Sequence, residues 1–199
     1  MKSKLLTLIL LIFVSTFSAK ETKFGWITDT HIGYKNADTE LESIVKSIND
    51  LDEIQFVVVT GDVTETGKNS EFETAKEILD KLNKPYYIIP GNHDTKWSES
   101  GCTKFTELWN DDKFSFIEKS LPEKEAGALF IGLNSGMPWR GGGGHLAPED
   151  LIWLEDELSK ADSGTDVYFF VHHPFHLGLL VQFGFFVESY FDFVYLLVL

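Results

Sequence analysis

Four short groups of residues in this 199-residue chain combine carboxylate, amide and imidazole side chains in patterns suited to holding divalent cations. Asp29 and His31 are separated by one residue. In extended backbone that spacing points both side chains to one side, where a carboxylate and an imidazole reach a single ion. Asp62 follows a glycine in Gly61-Asp62-Val63-Thr64-Glu65. The glycine allows a tight turn that lifts the carboxylate above a sheet edge, and its two oxygens allow Asp62 to bridge two metals. Gly91-Asn92-His93-Asp94 sets a neutral amide oxygen, a ligand, beside an imidazole free to act as acid or hydrogen-bond donor. His172-His173-Pro174 offers a further nitrogen ligand. His, Asn and Asp ligands of this kind suit Fe, Mn, Zn or Co.

Elements capable of presenting these groups alternate along the chain. Short runs rich in β-branched and aromatic residues predict strands at 24–28, 56–60, 86–89, 128–133 and 167–171. Most are continuous apolar runs, as expected of strands buried on both faces. Leu41, Ile44, Val45 and Ile48 recur at helical spacing, as do Phe72, Ala75, Ile78, Leu79 and Leu82. Ser70 and Glu73 form a capping box for the second helix. Pro148, Glu149 and Asp150 open a third, with Leu151, Leu154 and Leu158 on its apolar face. The pattern is that of one layered α/β domain. All four chemical groups then fall just past the carboxyl end of a strand, where ligands bind in open α/β sheets.

Composition narrows the partners. The net charge is −14, and it becomes more negative once a leader carrying Lys2 and Lys4 is removed. No Lys/Arg cluster is present to engage a nucleic-acid polymer. Residues 1–18 read as a secretory signal peptide: two lysines, an apolar run from Leu5 to Val14, then small residues with cleavage after Ser18. Export to a periplasmic or extracellular space is the expectation, and no stable membrane span is expected, since the run falls short of the roughly 20 residues needed. Cys102 is the only cysteine and is expected to be a lone buried thiol, so neither a disulfide nor a cysteine zinc cage is available. The tryptophans are expected to pack in the core and loops, with Trp97 the one placed to border a substrate.

Asp29-x-His31, Gly61-Asp62-x-x-Glu65, Gly91-Asn92-His93-Asp94 and His172-His173-Pro174 resemble the first four motifs of the calcineurin-like metallophosphoesterases. The resemblance covers residues 22–174. It implies a four-layer α-β-β-α sandwich with two divalent metals at the strand ends. Asp29, His31 and Asp62 would hold the first metal; Asp62, Asn92 and His172 the second. His93 would touch the phosphate and assist the leaving alkoxide, while Asp94 and Glu65 would fix ligands or loops. The implied reaction is hydrolysis of a small phosphomonoester or phosphodiester without a covalent enzyme intermediate. His145 matches no metal motif of that family, and His173 and His176 are left without a role. The family's later Gly-His-x-His motif is missing, so each metal is one protein ligand short. Residues 175–199 lack Lys and Arg and differ in character from the rest. They read as an aberrant hydrophobic tail, out of frame or truncated, in preference to a membrane anchor because Glu188 and Asp192 interrupt them. The sandwich is accordingly expected to be incomplete at its C-terminal end, with its oligomeric state unspecified.

Overall fold

Alternation along the strands decides the layering. In Phe56–Thr60 (β2), Val57 and Val59 face one way and Phe56 and Val58 the other, and every residue of the strand is buried. A computed structural model of the chain describes residues 22–96, 98–100, 102–119, 127–136, 143–174, 187–188 and 196–198. β2 is the centre of a parallel three-stranded sheet, flanked by Phe24–Ile27 (β1) and Tyr86–Ile89 (β3). The second sheet contains Phe114–Glu118 (β4), Ala128–Gly132 (β5), Asp166–Phe170 (β6), Val187–Glu188 (β7) and Leu196–Val198 (β8), in the order β4-β5-β6-β8-β7. Here β5 and β6 are parallel and the other neighbours antiparallel.

Three core clusters separate four layers. Helices Ala37–Asn49 (α1) and Asn69–Leu79 (α2) bury Leu41, Val45, Phe72 and Leu79 against Val57 and Val59 on the outer face of the first sheet. Phe56, Val58, Phe130 and Phe170 fill the space between the sheets. On the far side, Trp153, Leu154 and Leu158 of Pro148–Ser159 (α5) cover Leu129, Ile131 and Phe169. The implied α-β-β-α sandwich is therefore observed. Its middle layer is aromatic: Phe56 meets Phe130 edge-on at 4.9 Å, and Phe116 stacks on Tyr87 at 3.9 Å across the sheets. Each fully buried apolar side chain of this size contributes about 1.5–3 kcal/mol.

Several sequence expectations need correction. α2 begins at Asn69, and Glu71 supplies the capping carboxylate instead of the Ser70–Glu73 pair. Glu71 accepts from the N–H and hydroxyl of Thr66 at 2.9 and 2.8 Å and from the Lys68 N–H at 3.4 Å, so the cap lies two residues earlier. In α1, Ala37 takes the buried position and Ile44 is exposed. In α5, Leu151 is half exposed, because the buried face is centred on Leu154 and Leu158 and extends to Ala161. β4 and the short helices Asn92–Lys96 (α3) and Thr103–Trp109 (α4) were not anticipated. Cys102 is half-buried, with its thiol pushed up to about 11 by burial and by the charges of Asp112 and Asp94. Trp26 is 39% exposed at the edge of the first sheet, whereas Trp109 packs on Phe72 and Phe105. The leader, Trp97, Trp139, His176 and all of the tail except 187–188 and 196–198 lie outside the described residues. No helix among the described residues is long and apolar enough to cross a membrane.

Candidate metal centre

The parallel register of β1, β2 and β3 brings their carboxyl ends together, and the backbone ladder continues past them. Asp29 N–H donates to the Gly61 carbonyl at 3.0 Å, His31 N–H to Asp62 at 3.0 Å and Ile32 N–H to Val63 at 2.8 Å. Glu65 N–H returns to the Ile32 carbonyl at 2.9 Å. This rail places Asp29, His31, Asp62 and Glu65 beside one another. The expected extended backbone at Asp29 and His31 is absent: their φ angles are 54° and 47°, and that of Asp62 is 47°. Three of the proposed ligands thus occupy the left-handed region, which is uncommon for residues other than glycine and accumulates at functional sites.

Two glycines make room for Asp62. A Cβ at Gly91 would overlap the Asp62 carboxylate, and one at Gly61 would stand 2.5 Å from the Gly91 nitrogen. Gly61 also has φ of 92°, a backbone that only glycine adopts easily. The loop after β3 is fastened to the loop after β2 by Asp94, which is fully buried. Its carboxylate accepts the N–H groups of Val63, Thr64 and Gly91 at 3.1, 2.9 and 2.9 Å and the Thr64 hydroxyl at 2.7 Å.

Asp62 sits where the two sheets meet. Its Oδ1 accepts the His93 N–H at 2.8 Å, and its Oδ2 lies 3.3 Å from His172 Nε2. His172 comes from the end of β6 in the second sheet. Its Nδ1 donates to the Thr60 carbonyl at 2.8 Å, which leaves Nε2 as the nitrogen facing Asp62. Asp29, Asp62 and His172 each offer a ligand atom within 4.8 Å of the other two. His31 Nε2 is 3.8 Å from Asp29 Oδ1. A second trio, His31, Glu65 and His93, satisfies the same 4.8 Å criterion. The His31 and His93 rings stand perpendicular with centroids 4.7 Å apart. Asn92 occupies the first position of α3, next to His93.

The charges reinforce one another. Burial alone would raise the Asp62 carboxyl, but His172, the His93 N–H and the His93 charge outweigh it and hold it below its ordinary value. Burial likewise opposes the His172 imidazolium, and contact with Asp62 overrides that and raises it. Asp29 raises His31 against the cost of burial, with Asp62 and Glu65 adding to the effect. The Asp29 carboxyl, against its own burial, is held low by His31 and Thr28. Acids held ionised beside imidazoles form a donor set of the kind that binds divalent transition metals, so the residues fit such ions. The neighbouring His173 differs: burial and the charge of His172 depress it to about 4. Its Nδ1 lies 2.9 Å from the Ser135 hydroxyl, and its ring stands perpendicular to that of His172 with centroids 5.0 Å apart. His145 is exposed on the loop before α5. A cleft of about 440 Å³ opens beside His31, His93 and Glu65 and is bounded by Tyr34, Asn36 and Glu40. Sequence reasoning did not anticipate the Thr60 carbonyl or the Ser135–His173 pair. Glu65, expected from the resemblance to fix a ligand or loop, stands 3.0 Å from His31 Nδ1.

A two-sheet α/β sandwich with acids and imidazoles gathered at its strand ends defines a metal-dependent phosphoesterase class. The chain belongs to the calcineurin-like phosphoesterase family, whose sequence profile matches residues 22–194, past the Pro174 boundary expected from the motifs. Family members use divalent metals. It is 34% identical to a probable glycerophosphodiester phosphodiesterase of Arcobacter nitrofigilis over 160 residues, covering 74% of this chain and 55% of that protein. A glycerophosphodiester phosphodiesterase of Enterobacter lignolyticus is 29% identical, with 76% of this chain and 57% of the relative covered. A probable cyclic nucleotide phosphodiesterase of Rhodopseudomonas palustris is 27% identical, with 79% and 59% covered. The chain therefore spans less than two-thirds of the length of these curated relatives.

Proposed function

We propose that the protein hydrolyses a small phosphate ester, most consistently a phosphodiester, at a centre for two divalent metals. The observation that carries this reading is the position of Asp62 between the two sheets: its Oδ1 is held by the His93 N–H after β3, and its Oδ2 faces the candidate ligand atom His172 Nε2 after β6. Asp29, His31 and Asp62 would hold the first ion; Asp62, Asn92 and His172 the second. When bound, such ions supply Lewis acidity toward the phosphate oxygens and the attacking water. The chain's own groups do the remainder. Thr60 orients His172, and Asp94 fixes the turn carrying Asp62. His93, whose Nδ1 lies 2.6 Å from the Glu65 carbonyl, presents Nε2 to the cleft as hydrogen-bond donor to the phosphate and acid for the leaving alkoxide. The relatives named as phosphodiesterases support the diester over the monoester. The leader-like first 18 residues support action outside the cytoplasm.

The test is metal-dependent cleavage of bis(4-nitrophenyl) phosphate compared with 4-nitrophenyl phosphate. Turnover should appear with Mn or Co, disappear on chelation, favour the diester, and fall by far more than about 100-fold in Asp62→Ala, beyond what loss of an outer partner causes. Chelator-resistant cleavage, or an Asp62→Ala variant as active as the parent chain, overturns the reading. A second reading, a metal- or phosphate-binding chain without turnover, is favoured by the three ligand atoms that each side-chain cluster gathers among the described residues. Calorimetric titration that finds two tight ions together with turnover rejects it; weak or single-ion uptake without turnover supports it.

A further inference from the structure

In all three imidazoles of the centre, Nδ1 faces an oxygen acceptor. His172 Nδ1 meets the Thr60 carbonyl at 2.8 Å and His93 Nδ1 the Glu65 carbonyl at 2.6 Å. His31 Nδ1 stands 3.0 Å from Glu65 Oε2. At His31 and His172, which the reading above makes ligands, an acceptor at Nδ1 retains the proton there and leaves Nε2 bare. The Nε2 atoms of His31 and His172 accordingly face the acids, 3.8 Å from Asp29 and 3.3 Å from Asp62. Two of the three acceptors belong to one residue, and only that of His31 carries a formal charge.

The contact with His31 has a loose end. Its Nδ1 is buried without a hydrogen-bond partner, because Glu65 Oε2 is within ion-pair reach but off the line a hydrogen bond requires. A small rotation of either side chain brings the two into line. Glu65 keeps that freedom because its side chain is one-third exposed, while its main chain is fixed to Ile32 in the rail beside His31.

We propose that Glu65 is the positioning residue for the imidazole of the first metal, its carboxylate holding the proton on His31 Nδ1 so that Nε2 is the ligating nitrogen. This inference rests on the metal-centre reading above. A histidine ligand backed by a carboxylate is more basic and better oriented than one backed by water, and loss of such a partner costs about 10–100-fold in metal affinity. The structure supplies an internal control, since substitution of Glu65 removes the carboxylate but leaves the main-chain carbonyl that faces His93.

The experiment titrates the full chain with Co(II), followed by calorimetry and visible absorption. Asp29→Ala and His172→Ala identify which binding phase belongs to which ion. In Glu65→Ala, the phase that Asp29→Ala removes should weaken by about 10–100-fold while the His172 phase stays unchanged. Glu65→Gln, which keeps an acceptor oxygen for Nδ1–H, should recover most of that loss. Unchanged binding in Glu65→Ala overturns the proposal. So does a Gln variant as impaired as Ala, which would make Glu65 a direct ligand. Equal weakening of both phases together with a lower melting temperature of the metal-free protein would make the role structural, and also overturns it. Failure of the parent chain to take up any Co(II) refutes the metal-centre reading itself, and does so before any Glu65 variant is compared.

Discussion

The two sheets present their candidate ligands by different physical means. From the first sheet, Asp29, His31 and Asp62 arrive on left-handed backbone locked by a main-chain rail and by glycines that leave space for nothing larger. From the second, His172 follows a regular strand end and is aimed by one hydrogen bond across the sandwich to Thr60. Local strain fixes the first set, and packing between the sheets fixes the second. A change that loosens the interface should displace His172 first, whereas a change in the loops after β1–β3 should displace the acids.

The largest effect should come from Phe130→Ala, which removes a ring with no exposed surface that touches Phe56, Phe116 and Tyr168 between the sheets. A loss of about 3–5 kcal/mol is expected in denaturant unfolding. In the variant that remains folded, Co(II) binding should weaken more in the His172 phase than in the Asp29 phase. The opposite order would contradict the division of labour between the sheets. Gly91→Ala tests the other half. Its Cβ overlaps Asp62, so a cost of about 1–3 kcal/mol is expected, with both binding phases weakened if, as proposed, that carboxylate serves both ions.

The smallest effect is in pH dependence. Metal-free, Asp62 and Asp29 are lowered from 3.8, and His172 and His31 are raised from 6.5. A lowered acid contributes stability above its unfolded value and loses it as pH falls through the folded one. A raised imidazole contributes fully below its unfolded value and loses it as pH rises through the folded one. These pairs therefore stabilise the metal-free chain most between about pH 4 and 6.5. Its melting temperature should decline by a few degrees from pH 6 to 8. Metal affinity should rise over the same interval, because the imidazole protons that compete with the cation are lost. A His172→Gln chain with an equally steep decline would remove this pair as its cause.

How much of this was legible in the sequence follows the same division. Strands β2, β3, β5 and β6 announce themselves as apolar runs because burial on both faces demands it. Phe114–Glu118 does not: Ser115 and Glu118 break the run in a strand at the edge of its sheet. Helix existence was readable from spacing, but helix rotation was not, and Leu151 and Ile44 proved exposed while Trp153 and Ala37 packed inward. At the site, residue types and strand-end placement single out Asp29, His31, Asp62, Asn92, His93 and His172, of which the structure gathers Asp29, Asp62 and His172 in one cluster and His31 and His93 in another with Glu65. Their aim was not readable. The left-handed backbone at Asp29 and His31 arises from pairing with the loop after β2, and the Thr60 acceptor for His172 lies 112 residues away and is a main-chain atom.

Thr60 also has a second partner. Its hydroxyl accepts the indole N–H of Trp26 at 2.9 Å, while its carbonyl accepts from His172. An indole is thereby coupled, through a single residue, to the imidazole that the two sheets share. Trp26 is partly open to solvent, so its emission is sensitive to small changes in that polar contact. Trp26 also meets Phe170 edge-on at 6.1 Å, in the strand that leads to His172, so in a chain whose other tryptophans are replaced by phenylalanine, occupation of the centre should register as a change in indole emission without any label.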